Sequence, residues 1–291
     1  MIELGGCGFC FKGWDAGEAL RGLRAMGLRR ISLGMNGPDA QIHPDEAAAR
    51  PAELGREVAK LAERADAKLV ELFMCPLWVE PLGGVEPNDP RPAAREAMLE
   101  RFKAVCEFAA VAGFEHIMGV PGVVQEELGA ARSWDLSVDL LTRMVEAANN
   151  AGVVFTVEPH RGSIVDQPDE LGQLLEAVPG LKLTLDYTHF VGAGIGEQTL
   201  MPFHGRAQHL HAKPARPGQF RTSVDENTID YRAILADLVE RGWSGTICME
   251  TFGNARNPES LRAHPAHDTL RLAWMLEAML EELGAAASAQ A

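Results

Sequence analysis

The sequence predicts a single-domain α/β fold, a closed (β/α)8 TIM barrel, and three observations support this prediction. Short β-rich runs alternate with longer helical stretches along the whole chain, through eight cycles. Gly27, Gly113, Gly152 and Gly242 each stand between a helical stretch and the next strand, where a left-handed C-cap is needed. The length of 291 residues accommodates eight βα units in one domain. Such alternation implies right-handed βαβ units and a parallel sheet, and eight units fit a closed barrel better than an open sheet.

The elements follow from the pattern in chain order. Strands are expected at residues 2–9, 29–34, 68–74, 115–120, 153–158, 181–186, 206–213 and 245–251. Helices are expected near residues 15–26, 46–66, 91–112, 133–151, 168–177, 195–203, 230–241 and 258–284. Because no linker rich in Pro, Gly and Ser divides the chain, we expect one barrel domain over residues 1–284. The small, weakly polar residues 285–291 are expected to form a flexible C-terminal tail.

The composition restricts the classes of partner. Hydrophobic residues make up 46% of the chain and charged residues 23%, which is enough apolar material for a core and excludes disorder. Asp and Glu total 41 against 27 for Lys and Arg, so the formal charge of −14 repels phosphate backbones and anionic membranes. We therefore expect no nucleic-acid and no membrane partner. Five scattered cysteines and the lack of a long apolar run predict a soluble, cytoplasmic protein.

Strand parity predicts which side chains face the barrel axis. Side chains alternate between the two faces of a strand, and one face of each barrel strand packs on helices. In LKLTLD the leucines take the helix side, which leaves Asp186 facing the axis at the carboxyl end of its strand. The same argument turns Glu158 inward in VVFTVE and Glu250 inward in TICME. In AQHLHAK it turns both His209 and His211 inward.

Four consecutive strands thus bring Glu158, Asp186, His211 and Glu250 to the C-terminal rim, where barrel enzymes place their chemistry. Three carboxylates converging in one mouth repel each other unless a cation neutralises them. A divalent metal is therefore expected, and three oxygens with one imidazole suit Mn²⁺ or Mg²⁺, with Co²⁺ as a further option. His209 is a rival ligand two residues deeper on the same face, and His211 is preferred because it lies nearer the rim.

Several short motifs around these residues carry a family resemblance. They are VEPHRG at Glu158, LDYTH ending at His189, HLHAKPAR from His209 and CMETF at Glu250. With them the chain resembles, over essentially its whole length, the xylose-isomerase-like barrel superfamily of sugar phosphate isomerases and epimerases. That superfamily includes ketose 3-epimerases, hydroxypyruvate isomerases, inosose dehydratases and isomerases, and 3-dehydroshikimate dehydratases.

The resemblance also implies roles for individual residues. It makes Glu158, Asp186, His211 and Glu250 the metal ligands, and it places His189 and Arg216 where family members contact substrate oxygens. Within the same motifs, His160 and Lys213 are further candidates for substrate binding, and Lys213 shares the inward parity of His211. Relatives commonly pair as dimers or tetramers, so the resemblance implies a homo-oligomer.

Two features separate this sequence from the ketose epimerases. Ile164 stands six residues after Glu158, where those enzymes use a glutamate on the substrate. The stretch from residue 213 to 231 is longer and more basic than the epimerase pattern, with Lys213, Arg216 and Arg221 in an otherwise acidic chain. A local positive site favours an anionic substrate such as a sugar acid, a keto acid or a phosphate.

The leading functional hypothesis is a metal-dependent isomerase or epimerase of a small keto sugar or sugar acid, acting through an enediolate. Glu158 or Glu250 would remove the proton, and the other carboxylate would return it. If a hydroxyl or a carboxylate leaves instead, the same intermediate gives the alternative, a metal-dependent dehydratase or decarboxylase. A phosphodiesterase acting on DNA is disfavoured by the charge, and a non-catalytic barrel remains open. His116 opens the fourth strand, where core packing and a catalytic role both remain open.

Overall fold

Eight parallel strands close into a barrel in the computed structural model, which describes residues 1–35, 40–74, 86–251 and 264–284. The strands run β1 Ile2–Cys7, β2 Arg30–Gly34, β3 Lys68–Phe73, β4 His116–Gly119, β5 Val154–Val157, β6 Lys182–Asp186, β7 Ala207–Ala212 and β8 Gly245–Met249. Each strand pairs with the next in chain order, and β1 pairs with β8 from Ile2 opposite Gly245, which closes the sheet. The predicted (β/α)8 barrel and the eight predicted strands are confirmed.

Helices follow the strands around the barrel. They are α1 Ala16–Ala25, α2 Pro44–Ala49, α3 Pro51–Arg64, α4 Pro92–Ala112, α5 Gly129–Ala151, α6 Pro168–Ala177, α7 Thr188–Val191, α8 Tyr231–Glu240 and α9 Pro265–Glu282. No helix in the described ranges is long and apolar enough to cross a membrane. The predicted start of the last helix at residue 258 lies outside the described residues, as does the predicted tail at 285–291.

Two helix predictions were wrong in detail, and proline contributes to both. The single helix predicted over 46–66 is two helices, because Arg50 takes φ −142° and ψ 57° before Pro51 and leaves the helical region. The helix predicted over 195–203 is two short 3₁₀ segments, Glu197–Thr199 and Met201–Arg206. Pro202 has no amide hydrogen to donate, so it favours a helix start over the interior of a longer helix.

The predicted glycine stops at the helix ends are confirmed. Gly113 and Gly152 cap α4 and α5 at φ 89° and 77°, and Gly27 and Gly242 adopt φ 88° and 65° after α1 and α8. Only glycine takes this left-handed conformation without strain from a Cβ atom. These turns feed the chain directly into the next strand and so fix where each strand begins.

The two faces of the sheet differ in chemistry. Leu183 and Leu185 of β6 are fully buried in the apolar layer shared with the helices. Between them, Thr184 donates a hydrogen bond to Glu71 of β3 at 3.2 Å. Strands β3 and β6 are not neighbours, so this contact crosses the barrel axis. The interior of the barrel is therefore polar at a level where branched apolar side chains usually fill it.

Candidate active site at the barrel mouth

The four predicted ligands lie together at the carboxyl ends of β5 to β8. Glu158 and Glu250 directly follow their strands, Asp186 ends β6, and His211 pairs with Asp186 in the register between β6 and β7. All four side chains are buried. We call Glu158, Asp186, His211 and Glu250 the mouth centre. The backbone amides of the two glutamates continue the hydrogen bonding of the sheet. Glu158 N donates to the carbonyl of Gly119 at 2.9 Å, and Glu250 N donates to the carbonyl of Ala212 at 2.9 Å, which holds both residues in place.

His211 connects the carboxylates of the mouth centre. Its Nδ1 lies 3.0 Å from Glu158 Oε1 and 3.2 Å from Glu250 Oε2. Its Nε2 lies 2.8 Å from Oε2 of Glu71, a residue of β3. Burial alone would lower the pKa of His211, but the charges of Glu71 and Glu250 outweigh it and raise that pKa well above its usual value. Without another cation, the imidazole therefore carries a proton among these carboxylates.

Lys213 supplies the second positive charge. Its Nζ lies 2.5 Å from Asp186 Oδ2 and 3.0 Å from Glu250 Oε2, and its side chain is 4% exposed. Burial would lower the pKa of Lys213, but the two carboxylates raise it. Burial would likewise raise the pKa of Asp186, yet Lys213 and His189 lower it well below the usual range. Both members of this pair are therefore charged at neutral pH.

Neighbouring side chains hold this pair in position. Tyr231, the first residue of α8, accepts a hydrogen bond from the Lys213 amide at 2.9 Å and donates its hydroxyl to the Lys213 carbonyl at 2.7 Å. Asp186 Oδ1 accepts from the amide and the hydroxyl of Thr188 at 2.8 and 2.6 Å. One carboxylate oxygen of Asp186 is thus fixed by the backbone, and the other points towards the mouth.

The mouth centre fits a divalent cation by its donor chemistry. One ligand atom each from Glu158, His211 and Glu250 lies within 4.8 Å of the others, and the same holds for Glu158, Asp186 and His189. Asp186 Oδ2 is buried and makes ion pairs but no hydrogen bond of good geometry. Carboxylate oxygens with one imidazole are a ligand set for Mn²⁺ or Mg²⁺. Glu158 belongs to both triads and so connects all four predicted ligands.

Three of the four predicted substrate-contact residues lie at or beside the mouth centre, and the fourth, Arg216, is bonded within its own loop. Lys213 lies inside the mouth centre, and His189 Nε2 lies 3.3 Å from Asp186 Oδ2 with 23% of its side chain exposed. His160 lies beside His189, with 5.7 Å between the ring centroids. Arg216 is bound within its own loop, where it donates to Gln219 at 2.8 Å and lies 3.6 Å from Glu226.

Sequence reasoning missed three residues that contact or surround His211. Glu71 is fully buried in β3, and the signal for it was a single charge inside the apolar run KLVELF, because a buried carboxylate needs partners. Phe9 and Phe73 lie 4.3 Å apart between ring centroids and 6.3 and 6.2 Å from His211. The rival ligand His209 lies deeper, with its Nε2 3.9 Å from Glu71 Oε2.

Comparison with known proteins agrees with this architecture. Residues 20–272 match the xylose isomerase-like TIM barrel family, and the chain belongs to that family. The inosose isomerase of Bacillus subtilis (strain 168) is 25% identical over 167 residues, which cover 53% of this chain and 60% of that protein. The match thus spans less than two thirds of that relative.

Two solved structures share the fold over nearly the whole chain. The structure of L-ribulose 3-epimerase superposes with a TM-score of 0.77 at 16% identity, covering 98% of this chain and 96% of that one. D-Psicose 3-epimerase from Clostridium cellulolyticum H10 superposes with a TM-score of 0.76 at 14% identity, covering 96% and 99%. At these identities the likeness shows the barrel fold alone.

Proposed function

We propose that this protein is a divalent-metal-dependent isomerase or epimerase of a small keto sugar or sugar acid, acting through an enediolate. One observation carries the proposal: Glu158 and Glu250 approach the same nitrogen of His211 at 3.0 and 3.2 Å, in a mouth that also holds Asp186. Two carboxylates placed around one point suit removal and return of a proton. The names of the isomerase and epimerases similar to this chain are consistent with that chemistry.

Glu158, Asp186, His211 and Glu250 would hold the ion, with Mn²⁺ as the first choice and Mg²⁺ or Co²⁺ as alternatives. When bound, the ion would polarise the substrate carbonyl and make the neighbouring carbon-bound proton more acidic. His211 would bind through its neutral form, with Nε2 donating to Glu71, because a metal ligand cannot keep the proton that the free ring carries.

The proton chemistry belongs to the two glutamates. Burial would raise the pKa of Glu250, but Lys213 and His211 lower it, so Glu250 is ionised and able to accept a proton at neutral pH. One carboxylate takes the proton from the carbon beside the carbonyl, and the electron pair of that bond moves into the enediolate. The other carboxylate, having taken up a proton from solvent, returns it to the opposite face of the same carbon, or to the former carbonyl carbon as the hydroxyl proton passes to the former carbonyl oxygen. The first carboxylate then releases its proton to solvent.

Substrate binding is assigned to the side chains around the rim. His189 and His160 stand side by side next to Asp186, where their ring nitrogens can hydrogen-bond substrate hydroxyls. Lys213 can donate a hydrogen bond to a substrate oxygen while it keeps one of its carboxylate partners. Arg216 can take this role only by leaving Glu226 and Gln219, so we expect its contribution to be the smallest of the four.

The charges at the mouth favour isomerisation over the alternative, a metal-dependent dehydratase or decarboxylase of a keto sugar acid. That alternative depends on basic side chains able to bind a substrate carboxylate. Lys213 is already compensated by Asp186 and Glu250, and Arg216 by Glu226, so neither offers an uncompensated charge to an anion. Arg221 acts on Lys213 through its charge, so the substrate class of the proposal includes sugar acids as well as neutral keto sugars.

Product analysis tests the proposal. Mn²⁺-loaded protein is incubated with a panel of ketoses and keto sugar acids, and the products are identified by ¹³C NMR and mass spectrometry. A new sugar of unchanged mass is expected, with no conversion after chelation or in Glu250→Gln. Glu100→Gln, an exposed carboxylate of α4 paired with Lys103 outside the mouth centre, is the matched control and should convert normally. Loss of water or CO₂, or no conversion of any substrate, contradicts the proposal.

A further inference from the structure

A second group of side chains that could bind a metal ion lies below the mouth, inside the barrel. Glu71 of β3, His116 of β4 and His209 of β7 are each at most 1% exposed, and we call them the interior centre. The rings of the two histidines have centroids 4.8 Å apart. One ligand atom from each of the three residues lies within 4.8 Å of the other two. None of these three residues has a role in the proton chemistry proposed above.

The spacing within the interior centre is too wide for strong direct bonds. His116 Nε2 lies 3.4 Å from Glu71 Oε1, and His209 Nε2 lies 3.9 Å from Glu71 Oε2. Hydrogen bonds between charged groups are about 2.7–2.9 Å long. Two ligands that each lie about 2.0–2.1 Å from a tetrahedral zinc ion are separated by about 3.4 Å. The two observed distances are thus closer to the separation of two ligands on one zinc ion than to the length of a charged hydrogen bond.

A buried nitrogen without a partner points to the same conclusion. His209 Nε2 is buried and has no hydrogen-bond partner among the described residues, although it faces Glu71. Leaving a buried polar atom unpaired costs about 1–3 kcal/mol, so such atoms need an explanation. A metal ion between His209 and Glu71 would use this lone pair.

Neighbouring side chains contact Glu71 and His209 and hold them in place, as the side chains around the ligands of a metal site do. Thr184 donates to Glu71 Oε1 at 3.2 Å, and His211 Nε2 contacts Glu71 Oε2 at 2.8 Å, so the carboxylate is oriented from two sides. The thiol of Cys248 contacts the His209 ring and lies 3.4 Å from Ser32 Oγ. Contacts of this kind fix the ring and carboxylate orientations that a metal requires.

We propose that Glu71, His116 and His209 bind a zinc ion inside the barrel, separate from the metal at the mouth centre. Two imidazoles and one carboxylate are a zinc ligand set with an open fourth position. The donor set also distinguishes the two centres, because the nitrogen-rich interior suits zinc and the oxygen-rich mouth suits manganese. Glu71 belongs to the interior centre and contacts His211 of the mouth centre, so it links the two.

Zinc stoichiometry in a mouth-disabled background tests the proposal. The double variant Asp186→Asn/Glu250→Gln removes two mouth ligands, so zinc that remains bound must lie elsewhere. Chelator-treated protein is incubated with Zn²⁺, passed over a desalting column and analysed by elemental mass spectrometry. One equivalent of zinc per chain is expected in the double variant, and none is expected once His209→Gln is added.

His204→Gln is the matched control, because His204 is also fully buried but bonds Tyr187 and Asp237 outside both centres. Added to the double variant, it should leave the equivalent of zinc in place. A double variant that holds no zinc, or one that keeps its zinc after His209→Gln, overturns the proposal.

Anomalous diffraction at the zinc edge gives a readout that needs no variant. Crystals of the zinc-loaded wild-type protein should show a peak between Glu71, His116 and His209, and the lack of a peak there also overturns the proposal. Neither experiment measures turnover, so a failure here leaves the proposed reaction at the mouth standing.

Discussion

Two clusters of polar side chains, the mouth centre and the interior centre, lie along the axis of this barrel, and the contacts within them differ. In the mouth centre, His211 lies 3.0 and 3.2 Å from two carboxylates, and Lys213 lies 2.5 and 3.0 Å from two. In the interior centre, the corresponding distances are 3.4 and 3.9 Å, and two imidazole nitrogens, His116 Nδ1 and His209 Nε2, have no hydrogen-bond partner among the described residues. The mouth centre thus contains its own cation, whereas the carboxylate of the interior centre is paired with His211 of the mouth at 2.8 Å.

The difference indicates what each centre can do. At the mouth, Lys213 and a protonated His211 keep Asp186 and Glu250 charged, so the centre is formed before the proposed metal binds. In the interior, a fixed ion would supply positive charge next to Glu71. Changes at the mouth should therefore alter turnover, and changes in the interior should alter metal content.

The largest expected effect is on turnover. Glu250→Gln keeps the shape of the side chain but removes its capacity to accept a proton, and proton transfer by a placed side chain contributes about 10²–10⁴-fold. We expect kcat to fall by about that factor, with circular dichroism unchanged, in an NMR assay on whichever sugar is converted. Retention of near-native kcat by this variant would contradict a proton-transfer role for Glu250.

Lys213→Met should affect the metal-free protein next most strongly. The substitution leaves Asp186 and Glu250 buried without their ammonium partner, and breaking a buried ion pair costs about 3–5 kcal/mol. Urea unfolding in the presence of EDTA should show this loss, and Mn²⁺ should restore most of it by replacing the missing charge. Lys103→Met, at an exposed pair with Glu100, is the control and should change stability little. Equal losses in both variants would argue against a charge-compensating role for Lys213.

Glu86 shows what burial does to a carboxylate whose oxygens have no hydrogen-bond partner in the described part of the chain. Burial, with the charge of Asp89 as a smaller cause, raises the pKa of Glu86 to about 7. Between the unfolded value of 4.5 and about 7, the folded state binds more protons than the unfolded state, so stability falls as pH rises through this window. The loss from this group should total roughly 3 kcal/mol.

Unfolding free energies measured at pH 4.5 and at pH 8 for the wild type and Glu86→Gln check this prediction. The variant should lose less stability than the wild type between the two pH values. Parallel pH profiles for the two proteins would show that Glu86 titrates normally.

The smallest effect tests the link between the centres. Glu71→Gln weakens the partner of His211 Nε2, and loss of such an outer-shell contact typically lowers metal affinity about 10–100-fold. Calorimetric titration should show weaker Mn²⁺ binding at the mouth, although Glu71 is not a mouth ligand. Glu115→Gln, which removes a carboxylate paired with Arg30, should leave the Mn²⁺ affinity unchanged. Identical affinities for the wild type and Glu71→Gln would mean that the two centres are independent.

The sequence predicted the mouth better than the interior for a physical reason. Asp186 ends its strand and Glu158 and Glu250 directly follow theirs, so period-two parity and the common C-terminal rim were enough to bring them together. Glu71 and His116 are register partners on neighbouring strands, but His209 stands across the barrel on β7, and its contacts with them depend on strand tilt and stagger. The parity of a run such as HIMGVPG does not contain that information.

Arg216 shows a second limit of sequence reasoning. The family resemblance implied a substrate contact for Arg216, and the structure shows its guanidinium bonded to Gln219 and near Glu226 in the same loop. Local pairs of this kind depend on the conformation of the turn, which composition and charge do not determine. The eight strands, by contrast, follow from local hydrophobic patterning and from glycine stops, and these were predicted in full.

Deuterium uptake from solvent tests the central claim most directly. Mn²⁺-loaded protein in D₂O should place deuterium on the carbon beside the carbonyl of the converted sugar, because the carboxylates exchange the abstracted proton with solvent. The same protein after chelation, and Glu250→Gln with Mn²⁺, should show no uptake. Conversion without deuterium, or equal uptake after chelation, would contradict a metal-dependent proton transfer at the mouth of this barrel.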